Sequence, residues 1–154
     1  MPNLISAEAV AVAWVKKINT LAGTAVATTV PASSSWPLVN AGTGMSRVFV
    51  QVLGTGGGTV GDTPYHRDVV SVDIWATKDN SDRPPLGVAM QIALRVWGAG
   101  FSPGLLGLVE VEPGAFVSVD SVRPISAHPR RIPDQDQSRA HYSLDIEISW
   151  TEQS

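Results

Sequence analysis

Apolar residues near the start of the chain recur at helical spacing. Steps of three and four residues place one set on a single helix face, namely Ala7, Val10, Ala11, Trp14, Val15 and Ile18. Ser6 is a suitable N-cap, and Lys16 and Lys17 suit the negative end of the helix dipole. Gly23 is a natural stop. The pattern predicts an amphipathic helix in which Trp14 anchors the core.

Later segments alternate with period two, which is typical of strands with one buried face. Residues 47–53 place three valines on one face, and residues 68–77 place β-branched residues on the core face and Ser71 and Asp73 on the other. The clearest alternation lies in residues 142–151, where apolar and polar residues follow one another without a break. Shorter apolar runs predict three more strands, at residues 24–30, 106–112 and 116–122.

A second helix and three long loops complete the pattern. The helix covers residues 86–97, follows the pair Pro84-Pro85, and ends at Gly98 and Gly100. The loops are residues 32–46, 124–138 and 54–67, and the last of these contains three consecutive glycines, which favour a flexible hairpin tip. The order predicts one α+β domain over residues 1–154, with a mixed, mostly antiparallel sheet of about five or six strands and two helices packed on one face.

Composition excludes several classes of protein. The chain has 154 residues, of which 16% are charged, with a net charge of −3, whereas soluble domains average roughly 25% charged residues. This balance argues against a basic nucleic-acid binder. Without cysteine, thiol catalysis and thiolate metal sites are excluded. The apolar stretches are too short and too interrupted for a membrane span, so we expect no membrane partner.

The sequence contains no convincing catalytic or cofactor motif. The three histidines (His66, His128 and His141) fall in or beside predicted loops at no spacing known for a triad or a metal site. Asp134 and Asp136 resemble the start of a calcium loop without its later ligands. The glycine-rich segment after residue 53 lacks the ending and the helix of a phosphate loop. We therefore expect no enzyme activity, no metal and no cofactor.

Long uncharged loops without a site are typical of a subunit that is covered by neighbours. Exposed aromatic residues in such loops would serve as interface anchors. The candidates for contact with another subunit or with a tube are Trp36, Phe49, Val60, Tyr65, His66, Arg67, Arg130 and Arg131. Trp36 has an equally good alternative, which is to fold back on its own core. Asp145 and Glu147, on the polar face of the last strand, are candidates for an acidic surface.

Several short strings resemble tail terminator proteins of long-tailed bacteriophages, in particular those of actinobacterial phages. They are AVAWV at residues 11–15, RVFVQV at 47–52, DVVSVDIWA at 68–76, ALRVW at 93–97, IPDQD at 132–136 and YSLDIEI at 142–148. Together they extend over most of the chain. The loop at residues 32–46 and the glycine-rich segment are longer than the family's pattern.

The resemblance implies a structural virion protein at the neck of the tail, assembled in the host cytoplasm. Such proteins form a ring of six copies that caps the tail tube, stops its polymerisation and presents a surface for head-completion proteins. The partners would be other copies of this chain, the major tail tube protein and the connector. Genomic DNA would pass through the lumen without being read, along a mildly acidic wall to which Asp145 and Glu147 would contribute.

Other functions remain open at this stage. One is a different head–tail connector or neck subunit, which would share ring assembly. Another is a small enzyme that uses His66 with Asp62 or Asp68. The last is a monomeric binding domain that uses the loop around Trp36.

Overall fold

Two helices pack on one face of a curled, mostly antiparallel sheet in the computed structural model of this protein. The structure describes residues 5–18, 24–40, 45–59 and 65–153. The elements in chain order are α1 (Ala7–Lys16), β1 (Ala25–Ala27), β2 (Leu38–Asn40), β3 (Met45–Thr59), β4 (Tyr65–Thr77), α2 (Leu86–Ala99), β5 (Gly107–Glu112), β6 (Ala115–Pro124), β7 (Arg130–Arg131) and β8 (Ala140–Glu152).

Over the described residues the sheet has eight strands, two more than the upper predicted number, and six of them follow one another in the order β1-β3-β4-β8-β6-β5. β1 pairs with β3 in parallel, and the other pairs are antiparallel. The predicted α+β class and the mixed, mostly antiparallel sheet are confirmed. Two short strands fall inside predicted loops, since β2 pairs with the start of β3 and β7 pairs with β8.

The sheet curls around α1. This helix contacts β1 and β3 at one end of the strand order and β5 at the other. Trp14 is fully buried between them, as predicted. The Glu8 Oε1 atom accepts the backbone N–H of Gly54 in β3 at 2.9 Å, while the Lys17 ammonium donates to the carbonyl of Leu106, just before β5, at 3.2 Å. One helix therefore ties together two distant parts of the sheet.

The prediction of a loop over residues 54–67 is wrong for most of that segment. β3 continues to Thr59 and β4 begins at Tyr65, and Gly57 pairs with Asp68. Glycine weakens a strand mainly through backbone entropy, and here the regular ladder with β4 offsets that cost. The register shifts between Gly54 and Gly56, which marks a bulge. A side chain at Gly54 would come within 3.2 Å of the Glu8 carboxylate.

Most helix and strand boundaries agree with the pattern in the sequence. The Ser6 hydroxyl caps α1 by accepting the N–H of Ala9 at 3.1 Å. Gly98, one of the two glycines predicted to end α2, lies inside the helix, which ends at Ala99 with Gly100 as its C-cap. Gly114 has φ +82° in the β5–β6 turn, a conformation that favours glycine. The predicted stop at Gly23 lies outside the described residues.

We expect Glu8→Ala to lower the free energy of unfolding by about 1 kcal/mol, because it leaves the Gly54 N–H at the bulge without its acceptor. Glu8→Gln keeps an acceptor oxygen and should lose less. Urea unfolding followed by circular dichroism measures both. Glu110→Ala, an exposed carboxylate on β5, is the matched control. Equal losses for Glu8→Ala and Glu8→Gln would mean that the bond to Gly54 does not stabilise the fold.

Candidate functional site: the outer face of the sheet

The sheet face opposite the helices, called the outer face below, carries most of the polar side chains of β4 and β8. Because side chains alternate along a strand, the even-numbered residues of both strands enter the core, as Val72 and Leu144 do, and the odd-numbered ones face outward. The cross-strand register arranges these outward residues in rows across the sheet. Three kinds of row follow one another along the strands.

Charged residues form the middle rows. Glu147 lies between two arginines, with one Oε1 to nitrogen distance of 3.1 Å to Arg123 and another of 3.9 Å to Arg67. Asp145 is 3.7 Å from Arg130. The arginine side chains are well exposed, whereas the two carboxylates are more enclosed. Such surface pairs contribute at most about 1 kcal/mol each to stability, and their main effect is to balance charge.

Four residues with predicted roles belong to these pairs. Arg67 and Arg130 were candidates for subunit contacts, and Asp145 and Glu147 were candidates for an acidic lumen wall. The structure places all four on one surface as two pairs, Arg67 with Glu147 and Arg130 with Asp145. Each carboxylate therefore has an arginine beside it, and the role of Asp145 and Glu147 at a lumen stays a prediction.

The next rows form a buried polar network. His141 Nε2 lies 2.7 Å from Asp73 Oδ1, and the Ser71 hydroxyl donates to Asp73 Oδ2 at 3.1 Å. The hydroxyls of Ser71 and Ser143 are 3.3 Å apart. Burial by itself raises the pKa of the Asp73 carboxyl, but the hydrogen bond and charge of His141, with the hydroxyls of Ser143 and Ser71, outweigh it and hold that pKa below its usual value.

Aromatic stacking closes this end of the outer face. The rings of Trp75 and His141 stack with centroids 3.7 Å apart, and the guanidinium of Arg139 lies 5.6 Å from the centre of the Trp75 ring. Arg139 also pairs with Asp134 at 3.6 Å and with Asp136 at 3.8 Å. The two aspartates therefore belong to a turn that holds Arg139 over the tryptophan.

Trp36 and Phe49 are buried together, so neither is an exposed anchor. Trp36 is 1% exposed, its indole N–H donates to the carbonyl of Pro31 at 3.0 Å, and its ring lies 6.2 Å from that of Phe49. Arg47 donates to the carbonyl of Trp36 and makes a bidentate pair with Asp79 at 2.9 and 3.0 Å. The alternative in which Trp36 folds back on its own chain is the one observed.

Large apolar residues are exposed at the opposite end of the outer face. Tyr65 in β4 is 59% exposed and Leu108 in β5 is 61% exposed. They end one cross-strand row, in which Tyr65 pairs with Thr151, Thr151 with Ser118 and Ser118 with Leu108. Strands are about 4.8 Å apart, so the row spans roughly 14 Å. Phe116, 41% exposed, lies on the neighbouring strand opposite Glu110, two residues from Ser118.

The remaining candidates lie elsewhere. His66 is on the helix side of the sheet, where its ring stacks on Trp150 at 4.9 Å and its Nε2 lies 3.3 Å from Glu152. Arg131 lines a separate cavity of about 390 Å³ that also contains His141. Val60 lies outside the described residues.

The three histidines were predicted to lie in or beside loops, and two of them are each the second residue of a strand. His66 is in β4 and His141 is in β8, while His128 lies in the loop before β7. Burial raises the pKa of Asp68, and the charge of His66 opposes that rise. The partner of His66 in the structure is nevertheless Glu152, and Asp62 lies outside the described residues.

Sequence reasoning missed the network around Asp73. Ser71 and Asp73 were assigned correctly to the outward face of their strand, and Ser143 to that of the last strand. What was missed is that the antiparallel register places Asp73 opposite Ser143 and Trp75 opposite His141. A search for polar residues at matching positions of two paired strands would have found this cluster.

The geometry of the network is that of a structural cluster. A catalytic serine needs an imidazole that accepts its proton, whereas here the Ser71 hydroxyl and the His141 ring both bind the same carboxylate. Among the described residues, no three histidine or acidic side chains lie close enough to hold a metal ion. A satisfied buried network of this kind rigidifies the two strands.

We expect Asp73→Asn to destabilise the fold by about 1–3 kcal/mol at pH 7, because hydrogen bonds to a buried carboxylate are lost. The folded-state pKa of Asp73 lies below its unfolded value of about 3.9. The stability that the ionised Asp73 carboxylate contributes is therefore present above about pH 3.9 and is lost as the pH falls through the pKa of the folded state. Urea unfolding should show that the difference in free energy of unfolding between the wild type and Asp73→Asn becomes smaller from pH 5 to pH 3.

Asp82→Asn, in an exposed turn, is the control for this experiment and should leave stability nearly unchanged. If the difference in free energy of unfolding between the wild type and Asp73→Asn is the same at every pH from 5 to 3, the stability does not come from the ionised form of Asp73.

Comparison with known proteins adds no support to the resemblance to tail terminators, which depends on the short strings quoted in the sequence analysis. Among the described residues, neither helix is long and apolar enough to cross a membrane. No protein-family model matches the sequence, and no curated protein is significantly similar to it.

Proposed function

We propose that this protein is a structural ring subunit of a phage tail, acting as its tail terminator. The observation that carries the proposal is the exposure of three large apolar side chains, Tyr65, Leu108 and Phe116, at one end of the outer face. Together with the resemblance in sequence, it favours a surface that is completed by another protein chain. The carboxylate of Asp73 has its hydrogen-bond partners within the chain.

In a ring of identical subunits, each subunit contacts one neighbour through one surface and the other neighbour through a different surface. A ring therefore requires two different contact surfaces on each subunit. The end of the outer face that carries Tyr65, Leu108 and Phe116 supplies one of them. The charged middle rows adjoin it, and each of their two carboxylates has an arginine beside it, so a neighbour could cover these carboxylates without leaving them unpaired. We therefore assign the outer face to protein contact, and the lumen role of Asp145 and Glu147 stays a prediction.

The resemblance supplies the rest of the proposal. Six copies would cap the tail tube, stop its growth and receive the head-completion protein, while DNA passes through without sequence readout. No step of this role requires a catalytic group or a cofactor.

Light scattering and native mass spectrometry test the proposal directly. We expect the protein, alone at high concentration or with tail tube protein, to reach about six times the 16.3 kDa mass of one chain. A strict monomer under both conditions would contradict it. A ring whose formation is unaffected by the tube protein, and which does not stop tube growth, would instead indicate another neck subunit.

A pair of double variants tests the surface. Tyr65→Ser with Leu108→Ser should reduce assembly at least tenfold, because each change removes large apolar area from the contact. Met90→Ser with Leu94→Ser is the matched control, since these residues are exposed on α2. If both double variants reduce assembly equally, the contact between subunits does not involve Tyr65 and Leu108 specifically. Unchanged circular dichroism of all variants would exclude misfolding as the cause.

A further inference from the structure

A cavity of about 500 Å³ opens at the N-terminus of α2, away from the outer face. It is called the α2 cavity below, and its polar lining comes from Ser46, Lys78, Ser81, Arg83, Gly87 and Gln91. Pro84, Pro85 and Leu86 form an apolar wall beside them.

The start of α2 is left without a cap. Pro85 occupies the N-cap position and has no side-chain acceptor, and the first turn contains no acidic residue. Within the described residues, the backbone N–H groups of Gly87 and Val88 have no acceptor. Both residues line the cavity. Free N–H groups at a helix start carry partial positive charge and favour an anion.

A second observation at the same place is the hydroxyl of Ser46. This residue of β3 is only 3% exposed and lines the α2 cavity. In the part of the chain that the structure describes, its hydroxyl has no hydrogen-bond partner. The residue is nearly enclosed while its hydroxyl is unpaired, so the hydroxyl is available to donate to a ligand in the cavity.

Two cations complete the lining. Neither Lys78 nor Arg83 forms an ion pair with any carboxylate of the described residues. The neighbouring Asp79 is held by both nitrogens of Arg47, and Asp82 is not among the lining residues. The Ser81 hydroxyl accepts the backbone N–H of Arg83 at 3.2 Å, which fixes the turn that carries it.

We propose that the α2 cavity binds a phosphate group. Two backbone N–H groups, one hydroxyl and two cationic side chains converge there, and all of them can donate to the oxygens of a tetrahedral anion. The cavity is larger than one phosphate ion, and its proline wall fits the organic part of a phosphate ester. This site does not depend on ring assembly and lies outside the surface proposed for it.

Isothermal titration calorimetry at constant ionic strength tests the site, with inorganic phosphate and phenyl phosphate as probes and sodium chloride as the reference salt. We expect saturable binding of at least one probe. Equal affinities identify free phosphate as the natural chemistry, and tighter binding of phenyl phosphate identifies an ester. No saturable binding of either probe to the wild type overturns the proposal.

Variants assign the binding to this cavity. Lys78→Gln with Arg83→Gln should weaken phosphate binding at least tenfold, while Lys16→Gln with Arg131→Gln removes the same charge outside the cavity and should leave it unchanged. Equal weakening by both pairs would overturn the site, because it would reflect net charge alone.

Ser46→Ala separates a binding role from a structural one. It should weaken phosphate binding about two- to tenfold, the range expected for one hydrogen bond, without lowering the melting temperature of the free protein. Unchanged phosphate affinity would remove Ser46 from the site, and a lower melting temperature with unchanged affinity would show that its role is structural.

Discussion

The curl of the sheet around α1 is the constraint on which the other features depend. Trp14 fills the concave side, and the contacts from Glu8 to Gly54 and from Lys17 to Leu106 join the helix to strands far apart in the sheet. Because the concave side is closed by α1 and α2, the core takes the even-numbered residues of β4 and β8. The odd-numbered residues must then face outward, so the outer face follows from the packing of the helices.

The outer face is polar although the chain as a whole has few charges, and its carboxylates are paired with arginines. Its carboxylates are the more enclosed members of each ion pair, and arginines lie over them at the rim, as Arg123 does over Glu147. Deeper along the same strands, Asp73 takes its partners from His141 and two serines. Each carboxylate thus has a partner within the chain, and the large apolar side chains exposed on this face are Tyr65 and Leu108, at the two ends of one row, with Phe116.

The periodicity of apolar residues predicted most helices and strands. The features that it did not predict depend on contacts between residues far apart in the sequence. The alternation in residues 68–77 and 142–151 identified which residues enter the core, because period-two burial is a property of each strand alone. The histidine in β8 was misjudged because its role depends on Asp73, a residue of the neighbouring strand that is 68 positions away in the sequence. The glycines of β3 were read as a loop because their cost is local, whereas the ladder that offsets it comes from β4. Trp36 could not be placed from the sequence, since burial against Phe49 depends on how a whole loop folds back.

In a chain with so few charges, the location of an unpaired one is informative. Arginines on the outer face lie beside carboxylates, and Arg47 holds Asp79 with two nitrogens. That second pair removes the acidic neighbour that would otherwise neutralise Lys78 at the mouth of the α2 cavity. The same arginine fastens the loop of Trp36 to β3 through a second contact, to the carbonyl of Trp36. With Asp79 held by Arg47, Lys78 and Arg83 line the space at the uncapped start of α2 without an ion pair among the described residues. The ion pairs of the outer face are separate from this contact, so a protein contact and a phosphate site can be assigned to different parts of the molecule.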